Sequence, residues 1–395
     1  MKEIMRNKKK YHKFDGDKTQ VELDIVKKTI DEDIKKEMPL NETSPIENKE
    51  LEDPDKIEIF DSQNNILRPQ RLEDFLGQEE IKERLRITIS AAKSRGESLP
   101  HQLFAGPPGL GKTTLATILS QEMGTNIKIT SGPSLEKPGD LAGTLVSLES
   151  GDILFIDEIH RLSPVIEEFL YPAMEDRKLD ILVDSDQGTK SIRIDLNAFT
   201  LIGATTKPGS LSSPLRSRFQ TIHRLELYTN EEIEKIALQS SQKLDLSLHP
   251  SAAKEIALRA RGTPRTANNH LLWARDFATA KHGTEIIDKE LILKALETIS
   301  IDKGGLDKTD RKILEILCKN FQGGPVGLSS LGVACGEDPL AIEEMHEPYL
   351  ISQGYLKRTP QGRIALNKTR TMFGLVPIEK ADDTNTLELN LKFKK

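Results

Sequence analysis

Gly106-Pro107-Pro108-Gly109-Leu110-Gly111-Lys112-Thr113 fits GxxxxGK[ST], and its surroundings narrow the fold further. An apolar run, Gln102–Ala105, precedes it, and a helix-like stretch, Thr114 to Met123, follows. A strand, a glycine turn and a helix in that order bring successive backbone N–H groups around a phosphate at the positive end of the helix. The glycines permit the close approach, Lys112 can reach the β and γ oxygens, and Thr113 can ligate Mg²⁺. A nucleoside triphosphate is the ligand this pattern calls for, with Gly109, Leu110, Gly111, Lys112, Thr113 and Thr114 forming its cradle.

A chain of 395 residues exceeds one ordinary core, so two to four domains are expected. Cys318 and Cys335 are the only cysteines and form no CxxC pair; they read as small buried residues of a chain kept in a reducing, cytoplasmic setting. No run approaches 18 apolar residues, so no membrane span is expected. The net charge is −6, but residues 1–65 hold 13 Lys/Arg against 17 Asp/Glu and carry about −4 of it. The remaining body is nearly neutral and free to carry a basic patch.

Residues 1–65 alternate charge with isolated Ile and Val, broken by Pro39, Pro45 and Pro54; they read as a disordered charged extension with one transient helix near Val21–Met38. Residues 66–228 alternate strand and helix patterns, with apolar runs at Gln102–Ala105, 152–156 and 199–202, which predicts a mainly parallel sheet flanked by helices. Residues 229–303 show helix starts at Asn230 and Ser251 and helical stretches over 266–281 and 288–299, without strand signals: a small helical bundle. Residues 304–370 read as three helices and a hairpin near Tyr355 to Leu366, a winged helix. Residues 371–395 form a tail, in which Thr384 to Leu391 alternates like a lone strand, and the aperiodic stretch is taken to start at Asn367.

Ile153-Leu-Phe-Ile-Asp157-Glu158 is a buried-strand pattern ending in two carboxylates. A parallel sheet binds its ligand at the carboxyl edge, so Asp157 is expected to hold Mg²⁺ and Glu158 to orient and deprotonate the attacking water. Phe199-Thr-Leu-Ile-Gly-Ala-Thr-Thr206 ends in hydroxyls, of which Thr206 is the candidate to touch the γ-phosphate or the water. Ser213-Pro-Leu-Arg216-Ser-Arg218-Phe219 puts two guanidiniums on one short segment, suited to a neighbouring subunit's γ-phosphate. Arg261-Gly-Thr-Pro264-Arg265 opens a helix of the bundle from which Arg265 can reach back to the nucleotide.

Together these strings resemble the AAA+ ATPases. Ser131-Gly-Pro, Glu136-Lys-Pro-Gly-Asp140-Leu, Phe155-Ile-Asp-Glu-Ile-His-Arg-Leu162, Leu170-Tyr-Pro-Ala-Met-Glu-Asp176 and Gly323-Gly-Pro-Val-Gly-Leu328 are similar to the RuvB family over about residues 68–370. That resemblance implies an α/β AAA+ parallel-sheet ATPase domain followed by a helical lid and a winged-helix domain. It implies ATP and Mg²⁺ as cofactors, and a homo-hexameric ring that drives double-stranded DNA at four-way junctions beside RuvA and RuvC. It puts Lys112, Thr113, Asp157 and Glu158 on the Walker positions, Thr206 on sensor 1, Arg218 on the arginine finger and Arg265 on sensor 2. It also puts Tyr228 and Pro264 where the family walls the adenine, Arg68 in the nucleotide site, and Ile192 and Ile194 at the apolar tip of the hairpin that docks RuvA.

The third helix of the winged unit carries Glu337, Asp338, Glu343, Glu344 and Glu347, which phosphate repels, so the grip on DNA is expected from the wing, at Lys357, Arg358 and Arg363. The family usually has arginine at Gln361 and an Arg-rich helix at Asn269 to Ala274, so fewer phosphate contacts are expected here. The rival reading is a DNA-associated AAA+ switch of clamp-loader or initiator type that does not translocate.

Overall fold

The computed structural model describes residues 66–185 and 188–377. The expectations for residues 1–65 and for Thr384 to Leu391 lie outside the described residues.

The central sheet contains β1 (Gln102–Ala105), β2 (Ile127–Ser131) and β3 (Ile153–Asp157). A hairpin of β4 (Lys178–Ser185) and β5 (Gly188–Asp195) interrupts it before β6 (Thr200–Thr205) and β7 (Thr221–Arg224). The order is β2-β3-β6-β1-β7, with every pair parallel. β1 and β6 are buried throughout and β3 as far as Ile156. Alternation sends Leu103, Leu154, Ile156 and Leu201 into one core with Ile166 and Leu170, and Phe104, Phe155, Ile202 and Ala204 into another with Leu115, Ile118 and Leu119. Because the strands run in one direction, the phosphate loop, the Asp157-Glu158 pair and Thr206 all leave the sheet at the same edge.

The lid helices are Asn230–Lys243, Pro250–Arg259, Pro264–His282 and Lys289–Thr298. The first is capped by Thr229, one residue before the expected start at Asn230: Glu232 N–H donates to Thr229 Oγ1 (3.2 Å) and Thr229 N–H to Glu232 Oε2 (2.8 Å). Contrary to the strand-free expectation, β8 (Ser247–Leu248) and β9 (Ile286–Ile287) pair in parallel. Ala253, Ile256, Leu271 and Leu296 share the core that contains Phe104 and Leu115, so lid and sheet pack as one body.

The winged unit has helices Lys308–Lys319 and Leu328–Cys335. Its third helix starts at Pro339–Ala341, widens to a π turn at Ile342–His346 and continues over Glu347–Ser352. β10 (Leu356–Thr359) and β11 (Gly362–Ala365) form the antiparallel wing. A further helix, Asn367–Met372, replaces the expected aperiodic stretch; Thr369 is buried in it and donates from Oγ1 to Tyr355 O at 2.6 Å. This unit has its own core, in which Cys318 and Cys335 are buried and free.

The lid meets it through charge. Arg261 donates from Nη2 to Asp310 Oδ2 (2.6 Å) and Asp307 Oδ2 (3.0 Å), and from Nε to Gly305 O (2.9 Å). Among the described residues no helix is long and apolar enough to cross a membrane.

Candidate functional site

A cleft of ≈490 Å³ lies between the sheet edge and the lid. Its lining includes Arg68, Gly109, Leu110, Gly111, Lys112, Thr113, Thr114, Asp157, Glu158, Tyr228, Pro264 and Arg265, residues drawn from the sheet edge, the lid and the segment before the first helix. Gly111 is left-handed at φ 96°, and a Cβ there would stand 2.9 Å from Phe75 Cε2, so the loop needs glycine for both conformation and space. Among the described residues the N–H groups of residues 109 to 114 donate to no backbone carbonyl, which leaves a set of donors at a 12-residue helix start. Lys112 Nζ rests on Gly106 O and Pro107 O, each at 2.9 Å; burial holds its pKa below the ordinary lysine value, against the pull of Asp157 and Glu158. A cation, free amides and a hydroxyl beside a carboxylate form a donor set that fits a triphosphate with its divalent ion.

Tyr228 fixes the lid side of this cleft. Its Oη donates to Leu110 O (3.3 Å) and its backbone N–H to Gly262 O (2.9 Å), joining phosphate loop and lid loop through one residue. Arg265 is exposed, with its N–H on Gly109 O at 3.4 Å. Phe75, Ile236, Gln239, Ser240 and Asn268 also line the cleft; they belong to no motif, and no local pattern marks them.

Glu158 occupies left-handed space, φ 46° and ψ 45°, a conformation that costs energy for a residue with a Cβ. A Cβ on the facing Gly132 would lie 2.5 Å from Glu158 O, so the Ser131-Gly132-Pro133 string serves to let this turn approach. Thr206 Oγ1 donates to Glu158 Oε2 at 3.1 Å, and His160 Nδ1 is 3.1 Å from the same oxygen. Thr205 faces inward, fully buried, with Oγ1 3.0 Å from His160 Nδ1. Asp157 Oδ1 accepts the Glu158 N–H at 2.9 Å.

Arg218 does not line the cleft of its own chain. Nη2 lies 3.2 Å from Glu175 Oε2, Nη1 donates to Pro214 O (2.8 Å), and Cζ sits 4.2 Å from the Tyr171 ring centroid. Arg216, two residues earlier, is exposed.

Packing turns the acids of the third winged helix in different directions. Glu347 is fully buried and turned toward the wing, accepting from Arg358 Nε (2.5 Å) and Arg363 Nε (2.6 Å), and Glu343 Oε1 is 3.0 Å from Arg358 Nη1. Asp338 caps the helix by accepting the Ala341 N–H (3.0 Å). The two arginines are thus largely neutralised by the helix, while Lys357 is exposed and unpaired among the described residues. Lys207, next to Thr206, reaches Glu344 Oε1 at 2.8 Å, a partly exposed pair worth about 0–1 kcal/mol.

On the hairpin, Ile192 and Ile194 are half-buried and alternate with exposed Arg193 and Asp195. They are not at the tip, which the Ser185–Gly188 pair closes; Ile194 stands opposite Leu179 near the base. Arg193 pairs with Asp180 on the other face (2.8 Å), which keeps the isoleucines on one side.

A parallel-sheet phosphate loop, hydrolysis candidates on neighbouring strand ends, a helical lid over the cleft and an appended winged helix define an AAA+ ATPase. Residues 67–225 match the Holliday junction DNA helicase RuvB P-loop domain, residues 228–302 the RuvB AAA lid domain, and residues 303–374 the RuvB C-terminal winged helix domain. The Holliday junction branch migration complex subunit RuvB of Prosthecochloris aestuarii is 52% identical over 312 residues, which are 79% of this chain and 91% of that protein. The Thermotoga maritima RuvB Holliday junction branch migration motor superposes with a TM-score of 0.72 at 47% identity, covering 79% of this chain and 100% of the other. A point variant of that protein gives 0.73 at 46%, covering 79% and 99%. The chain belongs to the RuvB family.

Proposed function

We propose that the chain is the ATP-driven motor that moves Holliday junctions during homologous recombination and DNA repair. The observation that carries this is the cleft itself: phosphate loop, Asp157-Glu158, Tyr228 and Arg265 meet at a boundary between sheet and lid, so a change in the nucleotide is felt by the lid. The lid in turn holds the winged helix through Arg261. In this reading Lys112 neutralises the β and γ oxygens, Thr113 and Asp157 hold Mg²⁺, and Glu158 takes the proton of the attacking water with Thr206 fixing its carboxylate.

Arg218, outside its own cleft, serves the γ-phosphate of a neighbouring copy in a hexameric ring, leaving the Tyr171 and Glu175 contacts when it does so. Double-stranded DNA is held by Lys357 with Arg358 and Arg363, RuvA docks on the Ile192 and Ile194 face, RuvC acts on the same junction, and the complex works in the cytoplasm. The clamp-loader alternative is not favoured, because lid and winged helix both match RuvB and not only the ATPase sheet.

The test is strand exchange on a synthetic four-way junction with labelled arms, with ATP, Mg²⁺ and a RuvA partner. Movement of the crossover that stops when ATP is withheld supports the motor. ATP hydrolysis stimulated by the junction with no movement overturns it in favour of a switch.

A further inference from the structure

Arg218 stands at the end of the short helix Ser213–Ser217, and the surface it rests on belongs to a different helix, Pro164–Glu175. Glu167, Tyr171 and Glu175 recur at intervals of four on that helix, so their side chains share one face. Glu167 is buried and anchors this stripe. Its Oε2 accepts the Tyr171 hydroxyl at 3.0 Å and the Ser212 hydroxyl as well. Ser212 Oγ in turn accepts the Leu215 N–H at 3.2 Å, capping the helix that leads to Arg218. One carboxylate therefore fixes both the tyrosine ring and the start of the arginine's own helix. The guanidinium lies over the ring so fixed, with Cζ 4.2 Å from its centroid, and Nη2 forms an ion pair with Glu175, 3.2 Å from Oε2.

We propose that Tyr171 and Glu175 form a resting seat for Arg218, an autoinhibitory contact that withholds the guanidinium from a neighbouring copy until a γ-phosphate there displaces Glu175. The inference rests on the reading of Arg218 as the arginine that serves a neighbour's nucleotide. Two observations make the seat one that can be left. Arg218 Nε is buried and has no hydrogen-bond partner among the described residues, although Nη1 donates to Pro214 O at 2.8 Å. A terminal phosphate carries several acceptor oxygens and more negative charge than one carboxylate, so it satisfies a planar guanidinium better than the seat does. Glu175 is also 56% exposed, and an ion pair that open to solvent is weak. The seat holds the arginine against water and yields it to phosphate.

The test follows Arg218 alone, in mixed rings. The donor chain carries Lys112→Ala, which disables its own nucleotide site and leaves Arg218 in place; the acceptor carries Arg218→Ala and keeps its site. Recovered ATP hydrolysis then reports delivery of the arginine from donor to acceptor, with mixed-ring content verified by native mass spectrometry. Glu175→Gln added to the donor keeps the side chain's shape and removes its charge; recovery rises roughly two- to fivefold, the factor that a partly exposed ion pair represents. The same substitution in the acceptor leaves recovery unchanged, because that chain has no arginine to seat. A Glu175→Gln donor that recovers no more than the Lys112→Ala donor overturns the proposal, and a lower recovery does so by showing that Glu175 aims the arginine. An equal rise from the acceptor also overturns it. Tyr171→Leu in the donor removes the ring face and raises recovery in the same way; a Leu donor that assembles yet recovers no more removes Tyr171 from the seat. If the two parent variants recover nothing in verified mixed rings, the trans reading of Arg218 fails and the seat with it; if they recover activity and Glu175→Gln changes nothing, only the seat fails.

Discussion

Replacing Arg261 should loosen the winged helix without touching the nucleotide. Arg261 occupies left-handed space at φ 57°, beside Gly262 whose carbonyl holds Tyr228, so the loop that walls the cleft also carries the guanidinium reaching the winged unit. There it bonds Asp310, which is fully buried, and Asp307, and lies 4.9 Å from the Tyr349 ring centroid. Asp307, Asp310 and His346 bring ligand atoms within 4.8 Å of one another, as a cation site does, and the guanidinium supplies that cation. Removing one partner of a buried pair costs about 3–5 kcal/mol. When the arginine is gone, Asp310 Oδ2 still accepts the Asp307 N–H (3.1 Å) and Oδ1 keeps His346 Nδ1 at 2.6 Å, so the lower figure, about 3 kcal/mol, applies to Arg261→Ala.

The chain offers a reporter for that opening. Its only cysteines, Cys318 and Cys335, are both buried in the winged-helix core, where burial also raises their thiol pKa values. When reclosing is fast, labelling by a thiol reagent follows the open population, so about 3 kcal/mol becomes a roughly hundredfold faster reaction. Basal ATP hydrolysis should stay within about twofold, while its stimulation by DNA is lost. Labelling within threefold of the parent chain refutes the joint as the element that holds this unit closed.

Four further outcomes are expected. Glu158→Gln should bind ATP and Mg²⁺ yet turn over on the order of a hundredfold or more slowly, because the base is lost while Asp157 remains; single-turnover hydrolysis measures this. Arg218→Ala should abolish hydrolysis in assembled rings and leave analogue binding intact, and mixing it with Lys112→Ala should recover some activity, since each supplies what the other lacks; no recovery in verified mixed rings removes the trans role. Lys357→Ala should lower the slope of log affinity for duplex DNA against log salt by about one unit, with no dependence on base sequence, whereas Arg363→Ala should also destabilise the wing by leaving buried Glu347 with one cation. His346 has its pKa raised, since the hydrogen bond and charge of Asp310 with the charge of Asp307 overcome the opposing effect of burial. Its contribution is therefore full below about pH 6.5 and is lost as pH rises through the raised value; urea unfolding followed across that window should show the decline, and His346→Gln should flatten it.

What the sequence reveals and what it hides divide along burial. β1, β3 and β6 are central strands, covered on both faces, so each is written as a continuous apolar run and each can be located without a structure. β2 and β7 are the edges of the same sheet, only partly buried, and Ile127-Lys-Ile-Thr-Ser131 or Thr221-Ile-His-Arg224 offers too little contrast to stand out. β8 and β9 are two residues each, shorter than any periodicity can register. The phosphate-loop motif is legible because phosphate chemistry demands fixed types at fixed spacing on one segment. Phe75, Gln239 and Asn268 answer only to the shape of a cleft closed by elements far apart in the chain.

The acids of the third winged helix show the same divide in electrostatic form. Glu337, Asp338, Glu343, Glu344 and Glu347 form one acidic run in sequence, yet Asp338 caps a helix, Glu344 reaches Lys207, and Glu343 and Glu347 turn to the wing. A charge run states how much charge is present; only packing decides which way each carboxylate faces. For Glu347, fully buried beneath two guanidiniums, that direction converts a repulsive group into the one that fixes both wing arginines in position. In the proposed grip on DNA, the charge of Arg358 and Arg363 is already shared with Glu343 and Glu347, so the pull on phosphate is expected from Lys357. Weak, sequence-independent contact of that kind is what a motor must make if its grip is to be released at every step along the duplex.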